Sequence, residues 1–180
     1  MVPVSDPPRS RVHAAVREHG EAAVVGWCTE LLRGSGPHGV PREGALVLGG
    51  RHGVALLADP GGDHAWWWQV WGARGLLHAW HPDAVGPVLA ALDHQQWRVR
   101  EGALRVVARR RLDHDLQRVA DRQDDPVARV RAAAGRALAR IEAADRQPAT
   151  AGSSVSSSHA RTGQSSAASA DRGSPSNART

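Results

Sequence analysis

The chain of 180 residues contains no lysine, no phenylalanine and no tyrosine, and it has a single cysteine. Each absence narrows what the protein can be. One thiol, Cys28, excludes an internal disulfide framework and leaves no cysteine pair to hold a metal. Without lysine there is no phosphate-loop ammonium, so Gly34-Ser35-Gly36 and Gly49-Gly50 stand as isolated glycine clusters rather than parts of a nucleotide cradle. All seven aromatic residues are tryptophan, so core bulk has to come from Leu, Val, Ala and those indoles. No stretch approaches the ~18 apolar residues of a membrane span, and the N-terminal Met1 to Arg9 has no apolar core of a secretory signal. No membrane partner is expected, and the expected location is the cytoplasm.

The positive charge is all arginine and lies unevenly along the chain. Residues 1–96 carry 7 Arg against 9 acids, residues 97–146 carry 13 Arg against 8 acids, and residues 147–180 carry 3 Arg against 1 acid. A basic half can attract nucleic acid or acidic partners. The acids are interspersed with the arginines, however, which reads as solvated helix faces, and the abundance of Arg, Ala, Gly, Pro and Asp reads partly as a bias toward GC-rich codons.

Three segments follow from composition and periodicity. Residues 1–63 read as an N-terminal helical cap. Ser10 to His19 forms a helix with Val12, Ala15 and Val16 on one side, and Glu21 to Arg33 forms another with Val24, Val25, Cys28, Leu31 and Leu32 at helical spacing and Gly34 just beyond its end. Two apolar runs, Ala45 to Leu48 and Val54 to Leu57, flank Gly49-Gly50 and admit either two short helices or a strand pair; helices on both sides favour helices. Asp59-Pro60-Gly61-Gly62 is a turn. Residues 145–180, rich in Ser, Ala, Gly and Thr with almost no bulky apolar residue, read as a disordered tail.

Between these, residues 64–144 repeat. Trp97 to Val107 overlays Ala128 to Leu138 at a shift of 31, matching Val99 with Val130, Arg100 with Arg131 and Ala103 with Ala134. At a shift of 30 in the other direction, Trp97 meets Trp67, Gly102 meets Gly72, and Val106-Val107 meet Leu76-Leu77. A lead helix precedes each of the last two units, Asp83 to Leu92 and Asp113 to Arg122, with Asp113 as candidate N-cap. Two helices per ~30 residues is the signature of a solenoid, in which each pair buries its apolar face against its neighbours.

Asp125-Pro126 followed by Val130-Arg131, Ala134, Leu138 and Ile141 resembles a HEAT repeat of the short variety found in phycobilisome-lyase-like proteins. The Trp97 unit resembles it at Val99-Arg100, Ala103 and Val107, with His94 where an Asp is expected; the Trp67 unit keeps the small and aliphatic positions but has Val70 in place of the Arg. More narrowly, the whole chain resembles small actinobacterial HEAT-repeat proteins. The resemblance implies an all-α fold, a right-handed α-solenoid of about three helix pairs behind the cap. It also implies a ladder in which Asp125 pairs with Arg131 or with Arg100 of the preceding repeat. HEAT-type hydroxylases hold a di-iron centre with repeated His-Glu pairs, and that pattern is absent here.

No residue set points to catalysis. The ten histidines have no metal-ligand spacing; His78 with His81 and the Asp113-His114-Asp115 run read as surface or capping residues. Cys28 sits on an apolar stripe as a buried small hydrophobe, and Ser5, Ser10 and Ser35 lie in no nucleophile elbow. The chain is therefore expected to be no enzyme, to need no cofactor or metal, and to act as a protein–protein interaction or scaffold module. On a helix from about His64 to Ala79, Trp66, Val70, Ala73 and Leu77 are expected in the core, while Trp67, Trp71, Arg74 and His78 form the adjacent stripe. Its two indoles either fill the core as well, the favoured reading in a chain without other aromatics, or stand partly exposed beside Arg74 as a binding patch. Trp67, Trp71 and Arg74, with Arg100 and Arg131 on the later second helices, are the expected partner-binding residues. The alternative is a nucleic-acid-binding module that uses the Arg-rich second helices from Arg98 to Arg111 and from Arg129 to Arg140.

Overall fold

The computed structural model describes residues 5–146, and among these all regular structure is helical, with no strand. Eight α-helices follow in order: α1 Pro8–His19, α2 Glu21–Leu32, α3 Arg42–Leu56, α4 Trp67–Leu76, α5 Val85–Ala90, α6 Trp97–Arg110, α7 Leu116–Asp121 and α8 Ala128–Asp145. The expected tail falls, from residue 147 onward, outside the described residues, and its first position, Asp145, still closes α8. Among the described residues no helix is long and apolar enough to cross a membrane.

The glycine pair in the N-terminal segment divides two helices, as the apolar runs suggested. The α3 span breaks at Gly50, whose φ of 60° and ψ of −146° lie outside the helical region. A break leaves the preceding carbonyls without intrahelical donors. The buried guanidinium of Arg11, on α1, supplies them: Nε donates to Val47 O at 2.7 Å and Nη2 to Leu48 O at 3.4 Å, while Nη1 bonds Asp6 O.

The second helices form one layer in which α2 packs along α4, α4 along α6 and α6 along α8. Lead helices α5 and α7 are short and each runs into a 3-10 turn, Ala91–Asp93 and Arg122–Asp124, at the same 31-residue spacing as the units themselves. The core is aliphatic and small: Val24, Cys28 and Leu31 of α2, Leu76 of α4, Val99, Ala103, Val106 and Val107 of α6, and Val130, Ala134 and Ala137 of α8 are all fully buried. Such side chains let helix axes approach closely. The α2–α4 crossing is the extreme case. A Cβ on Gly72 would sit 2.5 Å from Cys28 O, and one on Gly75 would sit 2.4 Å from Cys28 Sγ, so only hydrogen fits at both positions.

Candidate functional site

Backbone turns fix where the second helices begin, and in the last two repeats an arginine holds each turn. Arg100 Nη1 donates to the carbonyls of His94 at 2.7 Å and Gln95 at 2.8 Å. Thirty-one residues later, Arg131 Nη1 donates to the carbonyls of Asp125 at 2.8 Å and Pro126 at 3.1 Å. Arg100 also reaches forward into the next repeat, Nε to Asp125 Oδ2 at 2.7 Å and Nη2 to Oδ1 at 2.9 Å. Of the two partners expected for Asp125, the carboxylate takes Arg100 and the main-chain oxygen takes Arg131. Burial alone would raise the Asp125 pKa; hydrogen bonds from Arg100 and from the Val127 N–H, with the charges of Arg100 and Arg122, outweigh it and hold the carboxyl below its ordinary value.

His94 does the local half of this work without a charge. Its Nδ1 accepts from the Gln96 N–H at 2.9 Å, as Asp125 Oδ1 accepts from the Val127 N–H at 2.9 Å. Burial and the nearby Arg100 lower the His94 pKa, which keeps that nitrogen free to accept. The preceding unit carries Val70 at the arginine position, so no guanidinium there requires a carboxylate at residue 94. The two departures from the repeat pattern thus belong together. At the next lead helix the N-cap is Asp115, which accepts from the Arg118 N–H at 3.0 Å, rather than the expected Asp113, because α7 begins only at Leu116.

The tryptophans sort differently from the expected stripes. Trp68 is the indole at the centre of the core, 1% exposed, and Trp71 lies beside it at 5%, their rings edge to face at 4.9 Å. Trp66, expected in the core, is half-buried at the head of α4 and stacks on Trp67 with centroids 4.6 Å apart. Val70 and Leu77 are partly buried and Ala73 is fully so. The helix is rotated toward α2 because Gly72 and Gly75 permit close backbone approach on that side.

That rotation turns Trp67, Val70, Arg74 and Leu77 toward α6 and α8, where they line a cavity of about 210 Å³ with Trp97, Arg98, Glu101, Gly102, Arg105 and Arg129. Arg98 lies over three indoles, 4.3 Å from the Trp97 centroid, 5.4 Å from Trp66 and 5.9 Å from Trp67. Arg129 covers Trp97 at 5.4 Å and pairs with Glu101 at 3.2 Å. Two further cavities adjoin this one. A cavity of about 490 Å³ between α3 and α4, lined by His52, Ala55, Leu56, His64 and Trp71, shares Trp67 and Arg74 with it. A third, of about 450 Å³, shares Arg105 and Leu77 and is lined by Arg9, His78, Ala108, Arg109, Arg136 and Arg140.

Among the described residues, Arg74, Arg98, Arg105, Arg109, Arg136 and Arg140 make no ion pair, in contrast with Arg100, Arg118, Arg122 and Arg129. The uncompensated field is visible in neighbouring groups. Burial, and then the charge of Arg105, lowers the Arg74 pKa; burial, followed by His13, Arg9, Arg109 and Arg110, lowers that of His78. Arg98, Arg105, Arg109, Arg136 and Arg140 are exposed, as expected of solvated helix faces, and their interspersion with acids along the chain does not pair them in space.

Of the five residues expected to contact a partner, Trp67 and Arg74 meet on one cavity wall and Arg131 is exposed at the turn it holds. Trp71 presents only an edge, to the cavity beneath α3, and Arg100 is 8% exposed and fully engaged with Asp125 and its own turn. Burial withdraws Arg100 from a partner lying on the face and leaves Trp71 only that edge. Trp97 is marked in the sequence only by its 30-residue match to Trp67, and Arg98 and Arg105 stand out there only as part of the arginine run. Nothing in the sequence marks the convergence of Glu18, His19 and Glu43, whose ligand-type atoms all lie within 4.8 Å, with His19 Nε2 3.5 Å from Glu43 Oε1. Cys28 is fully buried as expected, and burial pushes its thiol pKa up to about 12.

No curated protein and no solved structure matches the chain. The family model for HEAT repeats matches residues 63–139, the stretch that begins just before the Trp66–Trp68 run and ends within α8. Repeats of this kind generally present extended binding surfaces to other proteins. With the 31-residue recurrence of the turn-holding arginines, this identifies the segment: residues 63–139 of the chain carry HEAT repeats.

Proposed function

We propose that the chain is a non-enzymatic protein-interaction or scaffold module of the cytoplasm, and that its contact surface is the face where α4, α6 and α8 line adjoining cavities. One observation carries this reading: Trp67, Trp97 and Arg98 cluster at a cavity bordered by arginines without ion-pair partners. Tryptophan and arginine are the side chains that most often anchor interfaces, since each combines a large apolar plane with a polar group. Arg74, on the wall shared by two of these cavities, belongs to the face, and Arg131, exposed at the turn before α8, is a further candidate contact; residues 1–63 serve as the cap.

Affinity capture with the intact chain tests the reading. Arg98→Glu with Arg105→Glu reverses two exposed charges without touching the core. Loss of specific captured proteins from that variant is expected, and identical recovery by both forms contradicts the proposal. A second reading, nucleic-acid binding, draws support from the same arginines. It requires retention on heparin with a steep salt dependence, because each neutralised phosphate releases counterions.

A further inference from the structure

Resting on the interaction reading, we propose that the α4–α6–α8 face takes an extended acidic peptide segment that carries one bulky apolar side chain. The carboxylates pair with Arg98, Arg105 and Arg74, and the apolar side chain enters the cavity between α3 and α4. Charge complementarity is the first argument. A row of arginines with no carboxylate of their own offers forked donors that match carboxylate geometry, two N–H···O bonds to each. Glu101 does not neutralise the row, because Arg129 already holds it.

The second argument is the neighbouring cavity. Ala55, Leu56 and the Trp71 edge give it an apolar lining, and Trp67 with Arg74 forms the wall shared with the basic side. A chain lying across that wall meets guanidinium groups on one side and an apolar hole on the other. The same layout disfavours nucleic acid as occupant. Single strands are held by bases stacking on open aromatic faces. Here Trp66 and Trp67 stack on each other, and Arg98 and Arg129 lie over Trp97. A phosphate backbone would also gain nothing from the apolar cavity.

Selection from a random 16-residue peptide display library on the intact chain is the test, with each selected peptide then measured by fluorescence anisotropy. Expected binders are rich in Asp and Glu and contain one Leu, Phe or Trp. Arg98→Glu with Arg105→Glu should weaken them at least tenfold, and Ala55→Phe, which fills the cavity from an exposed position, should weaken only peptides that carry the apolar residue. All three positions are exposed, and circular dichroism of each variant checks that it folds before binding is compared. Binders that lose affinity on charge reversal yet lack the acidic and apolar pattern would overturn the partner chemistry while leaving the face intact. Binders indifferent to the variants, or no binders, would overturn the face as well. A 16-residue oligothymidylate that binds more tightly than every selected peptide, with the same sensitivity to charge reversal, would replace the peptide by nucleic acid.

Discussion

Arg100 grips Asp125 with two parallel N–H···O bonds across the boundary between successive repeats, at 2.7 and 2.9 Å, and with its remaining nitrogen it closes its own turn. Both groups are nearly fully buried, so each depends on the other: either one alone would be a desolvated charge. Replacing Asp125 by Asn keeps the shape and removes the charge. The expected cost is roughly 3 kcal/mol at neutral pH, read from chemical denaturation. The Asp125 pKa is depressed in the folded state, so its stabilisation is present above the unfolded value of about 3.9 and is lost as pH falls through the lower folded value. The gap between parent and variant should accordingly close on acidification below about pH 4. A gap independent of pH would show that the pair contributes through shape alone.

The glycines on α4 make a second prediction. Gly72→Ala drives a methyl group onto the Cys28 carbonyl, and loss of about 1–3 kcal/mol is expected from overpacking. Gly135, on α8, faces open space, and Gly135→Ala should stabilise by about 0.5–1 kcal/mol through helix propensity. Thermal melts of the two variants should move in opposite directions.

A missing rung can be rebuilt. Val70→Arg restores the arginine that the first unit lacks, and His94→Asp restores the carboxylate facing it in the repeat pattern. Each change alone should destabilise, Val70→Arg by placing an unpaired charge in a partly buried position. The double variant should recover a coupling of ~1 kcal/mol or more in a double-mutant cycle. Strict additivity would mean that Val70 and His94 departed from the pattern independently.

Cys28 gives a probe of the core. A thiol with its pKa pushed up to about 12 and no exposed surface should not react with a disulfide reagent at pH 8 in the native protein. Reaction should begin only as denaturant exposes α2, and prompt modification of folded protein would contradict the packing of α2 against Gly75.

Much of this arrangement is legible in the residues. The 31-residue recurrence of Val-Arg places α6 and α8, and the Val24–Leu32 stripe buries the α2 face it marks. The phase of α4 is not legible from its tryptophans. Three successive indoles at 100° intervals surround most of the helix, so the pattern has no preferred side, and Trp66 is placed where Trp68 belongs. The phase is set instead by Gly72, Gly75 and Leu76, which share the side of Trp68 and mark where a neighbouring backbone comes close. Pairing of arginines is equally hidden, because it is decided between helices: Arg100 meets Asp125 25 residues ahead, while Arg98, two positions earlier, meets only indoles. The Glu18, His19 and Glu43 cluster joins α1 to α3 and has no local spacing to reveal it.

The central claim is that partners meet the chain on the α4–α6–α8 face. Site-specific photocrosslinking in the source cell tests it most directly, with a benzophenone side chain in place of Arg105 on that face or in place of Gln117 on the exposed surface of α7. The account predicts discrete crosslinked proteins from position 105 and none from position 117. Equal crosslinking from both, or from position 117 alone, would contradict it.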